Sequence, residues 1–184
     1  MEDRLKDAKR RMEGAVTALT GEFASVRTGR ASTGLLDRVT VDAYGTRTPL
    51  NQLATIHAPE PRLLTVQPYD RSIMSQIEKA IMESDLGLTP GNDGQIIRLP
   101  VPQLTEQRRK EMVRLVHKMA EEGRIAVRNV RRDVLNDFKR SEKEGELSRD
   151  ELNRAQDEVQ KLTDAEVKAI DELMARKEAE ILEV

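Results

Sequence analysis

A chain of 184 residues is long enough for one large domain or two small ones, and its 35% charged against 38% apolar residues suit long solvent-exposed helices better than a core-rich enzyme. It has no cysteine, which excludes disulfides, thiol catalysis and cysteine-ligated zinc, and its aromatics (Phe23, Tyr44, Tyr69 and Phe138) are too few to stack nucleobases as single-strand binders do. The formal net charge of −2 hides an asymmetry, because residues 104–140 hold 11 bases against 6 acids and residues 141–184 hold 7 against 14, a contrast that points to a polyanionic partner or to charge pairing within the chain.

The opening stretch, MEDRLKDAKRRMEG, carries acids and has no apolar core, unlike a secretory or transit peptide. No apolar run approaches the roughly 18 residues of a membrane span. No membrane association is expected, and the expected location is the cytoplasm. Leu5, Ala8, Met12, Ala15, Leu19, Phe23 and Val26 recur at steps of three and four, the rhythm of a helix packed nearly parallel to others. The spacing predicts a helix from about residue 2 to about residue 28, with Gly29 as its left-handed cap.

Residues 31–103 change character, to short apolar runs punctuated by Gly and Pro. RVTVDAYG (38–45) alternates Val39, Val41 and Ala43 with polar neighbours, as a half-buried strand does. RLLTVQP (62–68) and GQIIRLP (94–100) read as further strands bounded by turn residues. Between them, DRSIMSQIEKAIMESDLG (70–87) predicts one helix, capped by Asp70, with Ile73, Ile77, Ala80 and Ile81 on one face and Gly87 closing it. The chain crosses to and from this segment near RASTG (30–34) and PVPQL (100–104). There Arg27, Gly29, Arg30, Pro100 and Pro102 mark a junction that either hinges or stiffens the connection.

The second long helix opens after Thr105, a plausible N-cap preceded by the extended Pro100 and Pro102. Met112, Val116, Met119, Gly123, Val127, Val130, Val134 and Phe138 carry its seam toward Glu144, a rod on the order of 60 Å long. Gly123 on that seam costs about 1 kcal/mol in helix propensity, which close approach of a neighbouring helix would explain. The third helix is announced by SRDE (148–151), a capping box with Ser148 at the N-cap and Glu151 reaching back. Leu152, Ala155, Val159, Leu162, Ala169 and Leu173 form its stripe, interrupted at Glu166, and Gly145 keeps the preceding connection short. The predicted fold class is α+β: an elongated antiparallel three-helix bundle (1–30 and 104–184) with a small β/α/β domain (31–103) inserted between helices one and two.

Projected at about 100° per residue, Lys110, Arg114, Arg124, Arg128, Arg131 and Arg132 fall within one arc beside the apolar seam. Four of them lie within RIAVRNVRRD (124–133), where no acid appears before Asp133. Aligned cations need counter-charge. One source is the acidic third helix of the same chain, which would make the protein a helical scaffold. The other is phosphate, whose geometry guanidinium forks match well, and arginines without aromatic companions indicate structured RNA read through backbone and shape. Signals for chemistry are poor. His117 and Glu121, one turn apart, make an incomplete metal site, and His57 stands in a strand-like context. GNDG (91–94) has a GxxG form, but its Asn-Asp centre suits a turn better than a phosphate clamp. No phosphate-binding or dinucleotide-binding glycine motif occurs. No catalytic residue, metal site or cofactor is expected.

In chain order, RTGRAS, LLDRVTVDAYGTRTPLNQLA, IEKAIMESDLGL, IIRLPVPQLTEQRRKEM, IAVRNVRRD and VQKLTD resemble the ribosome recycling factor family over essentially the whole chain. The resemblance implies an L-shaped monomer, a helical bundle and a β/α/β domain joined by a hinge. It implies binding to the ribosome after termination, where domain rotation with elongation factor G and GTP splits the subunits and releases mRNA, the factor itself hydrolysing nothing. Arg128, Arg131 and Arg132 of RNVRRD would then face large-subunit ribosomal RNA, Arg131 matching the family's functionally critical arginine. Arg27 and Arg30 would support that surface from the hinge end, and elongation factor G would approach the inserted domain. Two departures stand out: Thr33 where proline is common, and DVLNDF (133–138) in place of a usual DANDxx.

Overall fold

The protein is described here by a computed structural model covering residues 1–183. In chain order the elements are α1 (Glu2–Ala24), β1 (Thr40–Ala43), β2 (Thr46–Pro49), β3 (Ala54–Glu60), β4 (Leu63–Pro68), α2 (Met74–Glu83), β5 (Gly91–Asn92), β6 (Ile97–Pro100), α3 (Glu106–Lys143) and α4 (Arg149–Leu182). The fold is α+β, three long helices and a small β domain, as the periodicities predict. Two compact units divide the residues: 1–22 with 114–178, and 23–113 with those from 179 onward.

In the first unit α1, α3 and α4 form a bundle whose directions follow from their side-chain partners. Arg4 Nη1 donates to Ser141 Oγ at 2.7 Å and Arg11 Nη2 to Asp133 Oδ2 at 3.3 Å, so α3 descends as α1 climbs. His117 Nε2 lies 2.9 Å from Glu178 Oε2 and Arg131 Nη1 donates to Gln160 Oε1 at 3.1 Å, so α4 is antiparallel to α3. Ala8, Met12, Leu19, Val116, Val127, Val134, Phe138, Ala155, Val159 and Ile170 are buried; each large apolar side chain among them stabilises the fold by about 1.5–3 kcal/mol. Gly123 lies where predicted, on the seam. A Cβ there would stand 3.2 Å from Leu19 Cδ2 and 3.5 Å from Ile170 Cδ1. Glu166, which breaks the α4 stripe, is part-buried; burial first and then the charge of Glu13 raise its carboxyl pKa.

Both predicted caps form. Thr105 Oγ1 accepts from Arg108 N at 3.2 Å. Ser148 N donates to Glu151 Oε2 at 2.8 Å and Glu151 N to Ser148 Oγ at 3.2 Å, closing the box. Those bonds to Ser148 hold the Glu151 carboxyl below its ordinary pKa. The end of α1 differs from expectation: the helix stops at Ala24, and Gly29 has no positive φ. Beyond Ala24 the chain leaves the helix, with Thr28 buried and the Arg27 guanidinium bonded to Leu86 O and Pro102 O.

The β domain has a four-stranded antiparallel sheet in the order β3-β4-β6-β5 and a separate β1-β2 hairpin. Leu64 pairs with Leu99 and Val66 with Ile97, all four fully buried, and α2 supplies Ile77 and Ile81 to the same core. Within residues 38–45 the predicted strand forms as β1, Thr40–Ala43, with Val39, Val41 and Ala43 buried, and the stretch ends in a turn. Tyr44 and Gly45 both take positive φ, 53° and 78°, the two-residue turn that matches the twist of a tight hairpin. GNDG begins as β5 and ends as a turn, with Asp93 Oδ1 accepting from Gln95 N and Ile96 N.

Candidate nucleic-acid interface

The basic arc of α3 meets α4 along one edge in a heptad rhythm. His117, Arg124 and Arg131 stand one heptad apart, and each reaches across to α4. His117 meets Glu178. Arg124 Nε donates to Asp171 Oδ1 at 2.8 Å, and its Nη1 donates to Glu121 Oε2 at 2.9 Å. Only 16% of the Arg124 side chain is exposed. Burial lowers the pKa of this guanidinium, but Asp171 and Glu121 more than offset it, leaving the pKa above its ordinary value. Arg124 is therefore a neutralised brace between helices, not an open cation as the ladder predicted. The acidic helix quenches this one rung.

Arg131 meets a different partner. In the same rhythm its carboxylate would be Asp164, one heptad before Asp171. Instead Gln160 reaches across: its Oε1 accepts from Arg131 Nη1, and its Nε2 donates to Asp164 Oδ1 at 2.8 Å. The guanidinium is held by a neutral amide, so its positive charge stays uncancelled. Arg131 Nε is buried without a hydrogen-bond partner.

The remaining predicted contacts lie farther round the arc. Arg128 is 49% exposed and ion-pairs at 3.3 Å with Glu121, which thus bridges two arginines of its own helix. Arg132 and Arg114 are exposed, with no partner among the described residues. Lys110 belongs to the second unit and pairs with Glu106 at 2.9 Å one turn away; such an exposed pair is worth about 0–1 kcal/mol and yields readily to a stronger anion. Arg114, Arg128, Arg131 and Arg132 thus share a helix in the first unit.

The junction residues are stitched within the second unit. Arg27 Nη1 donates to Leu86 O at 3.3 Å and Nη2 to Pro102 O at 2.9 Å. Burial, with Arg108 nearby, lowers the Arg27 pKa. Arg30 ion-pairs with Glu183, Ala31 N donates to Pro61 O, and Val101 N, between Pro100 and Pro102, donates to Arg62 O. Neither Arg27 nor Arg30 is an open cation.

The residues that sequence reasoning missed are on α4: Gln160, Asp171 and Glu178. Asp171 and Glu178 repeat at the heptad spacing of His117 and Arg124, so an antiparallel register would have found them. Nothing in the sequence distinguishes Gln160 from any other exposed amide. Among the described residues no cluster of three or more His, Cys, Asp or Glu side chains could hold a metal ion, and no helix is long and apolar enough to cross a membrane.

The family profile described as Ribosome recycling factor matches residues 19–182. The ribosome-recycling factor of Rubrobacter xylanophilus is 60% identical over 180 residues, 98% of this chain and 97% of that one. The ribosome-recycling factor of Shouchella clausii is 57% identical over 178 residues, 97% of this chain and 96% of its own. Among solved structures, the solution structure of a ribosome recycling factor superposes with a TM-score of 0.77 at 44% identity, over 100% of this chain and 97% of that one. A second, of the T. thermophilus factor with E. coli elongation factor G bound to the E. coli post-termination complex, gives 0.70 at 45% identity over 98% of both chains.

Proposed function

This chain belongs to the ribosome recycling factor family, and from that premise we propose that it binds the post-termination ribosome through the arginines of α3, acting with elongation factor G and GTP to part the subunits and free the mRNA. Its action is mechanical, in the cytoplasm and as a monomer, with no bond made or broken by its own residues. Arg131, Arg132 and Arg128, extended by Arg114 and Lys110, contact phosphates of large-subunit ribosomal RNA. Arg124 supports that face from behind. The inserted domain, roughly residues 31–103, is the part that elongation factor G approaches, and Arg27, Gly29, Arg30, Pro100 and Pro102 mark the hinge.

Support comes chiefly from one observation: Arg131 is anchored by an amide while Arg124, one heptad earlier, is neutralised by a carboxylate. A cation meant only to brace two helices gains most from a carboxylate; one meant for phosphate must keep its charge. A scaffold would have every rung paired, and Arg114 and Arg132 have no protein partner among the described residues. Co-sedimentation of Arg131→Ala with ribosomes tests the proposal. Loss of one charge-assisted contact should weaken binding ~10-fold to ~100-fold, and the log-log salt slope should shrink by about one. Wild-type affinity and an unchanged slope would overturn the RNA contact.

A further inference from the structure

Building on the ribosomal RNA contact proposed above, we infer that Gln160 is a positioning residue for that contact: it holds Arg131 in place while keeping the Asp164 carboxylate off its guanidinium. Gln160 lies on α4 and does two things with one amide. Its Oε1 accepts from Arg131 Nη1 at 3.1 Å, and its Nε2 donates to Asp164 Oδ1 at 2.8 Å. Asp164 occupies the position that Asp171 and Glu178 take opposite Arg124 and His117. The carboxylate that would complete the row is present, but it is engaged by the amide.

The chemistry of the amide fits this role and that of an acid does not. An amide oxygen accepts one guanidinium hydrogen bond at modest strength and adds no charge. A carboxylate would accept in bidentate fashion, shorten the bonds and cancel the cation that RNA is to meet. An apolar side chain would let the long arginine wander and leave Asp164 to swing toward it. Arg131 Nε, buried and without a partner, leaves Gln160 as the only polar hold on that fork among the described residues. Gln160 touches no nucleic acid in this scheme; it acts through Arg131.

The test moves a carboxylate by one helical turn without changing the charge of the chain. Gln160→Glu combined with Asp164→Asn keeps the formal net charge at −2, so long-range attraction to the ribosome is unaltered. It places an acid directly on Arg131. Thermal melting should show a bundle at least as stable as wild type, because an amide hold becomes an ion pair. Ribosome affinity should nevertheless fall ~10-fold or more, toward that of Arg131→Ala, with the salt slope reduced by about one. Asp164→Asn alone introduces no acid and leaves the Gln160–Arg131 bond in place, so it should stay within a few-fold of wild type. If Arg131→Ala weakens binding while the double variant binds like wild type, Gln160 has no positioning role and the RNA contact stands. If Arg131→Ala itself binds like wild type, the RNA contact fails and this inference fails with it. A double variant that loses stability and affinity in parallel would show Gln160 to be structural only.

Discussion

Arg124 and Arg131 are the same residue type on the same helix edge, and their surroundings divide them into different roles. Arg124 has two acidic partners and little exposed surface, and its Nη2 also donates to Met174 Sδ on α4 at 3.5 Å. Truncating it removes those bonds, and the buried length of the side chain, as well as the charge. Arg124→Ala is expected to destabilise the bundle by about 1 kcal/mol, since its partners are half-exposed and hydrated. Ribosome affinity should stay within about twofold. Denaturant melts and co-sedimentation on one preparation separate the two effects; an affinity loss as large as that of Arg131→Ala would show that Arg124 also meets RNA. The bulk charge asymmetry could not divide the arginines this way, because a block of acids in one segment does not reveal which of them faces which cation.

At the scale of elements, two glycines with opposite surroundings make a paired prediction. A Cβ on Gly34 would lie 2.9 Å from both the Cβ and the carbonyl oxygen of Ala24. Backbone cannot step aside as a side-chain tip can, so Gly34→Ala should cost about 1–3 kcal/mol. A Cβ on Gly123 meets the methyl ends of Leu19 and Ile170 most closely, with Leu19 Cβ at an ordinary 3.9 Å. There the gain of about 1 kcal/mol in helix propensity offsets a small side-chain shift, and Gly123→Ala should melt close to wild type. Equal losses in both variants would show that the helices pack too rigidly for that shift. The Gly123 contact was legible because a glycine on an apolar helical seam sacrifices helix propensity at the very place where a neighbouring helix needs room. Gly34 was not, since its neighbour Ala24 comes from an α1 that ends earlier than its apolar rhythm suggests. The caps at Thr105 and Ser148 could be read because they are local bonds between residues three apart. β2 was missed for the converse reason, and of β3 only the strand-like surroundings of His57 were read. TRTP (46–49) lacks alternating apolar residues, and Tyr44 enters the left-handed region usually left to glycine or asparagine. Hairpin pairing with β1, not local preference, sets the conformation of β2.

At the scale of the whole chain, the division between the compact units falls within α1, α3 and α4, none of which is interrupted there. Bending at those points would break helical hydrogen bonds. Residues 25–32 and 101–105 carry no helix or strand, and we propose that any rotation of the inserted domain is taken up there. Arg27 is the strap across these stretches: it leaves the first of them and bonds Pro102 O in the second and Leu86 O beyond α2. Removing the guanidinium deletes both bonds while leaving the carbonyls to water, so the domain should keep its fold and lose a restraint. Because the chain has no cysteine, spin labels can be placed cleanly through Ser75→Cys on α2 and Arg154→Cys on α4, both exposed positions. The label-to-label distance distribution should broaden in Arg27→Ala relative to the otherwise identical chain, with helix content unchanged. One narrow, unshifted distance in both chains would mean that these stretches do not flex, and that motion on the ribosome has to come from somewhere other than this junction.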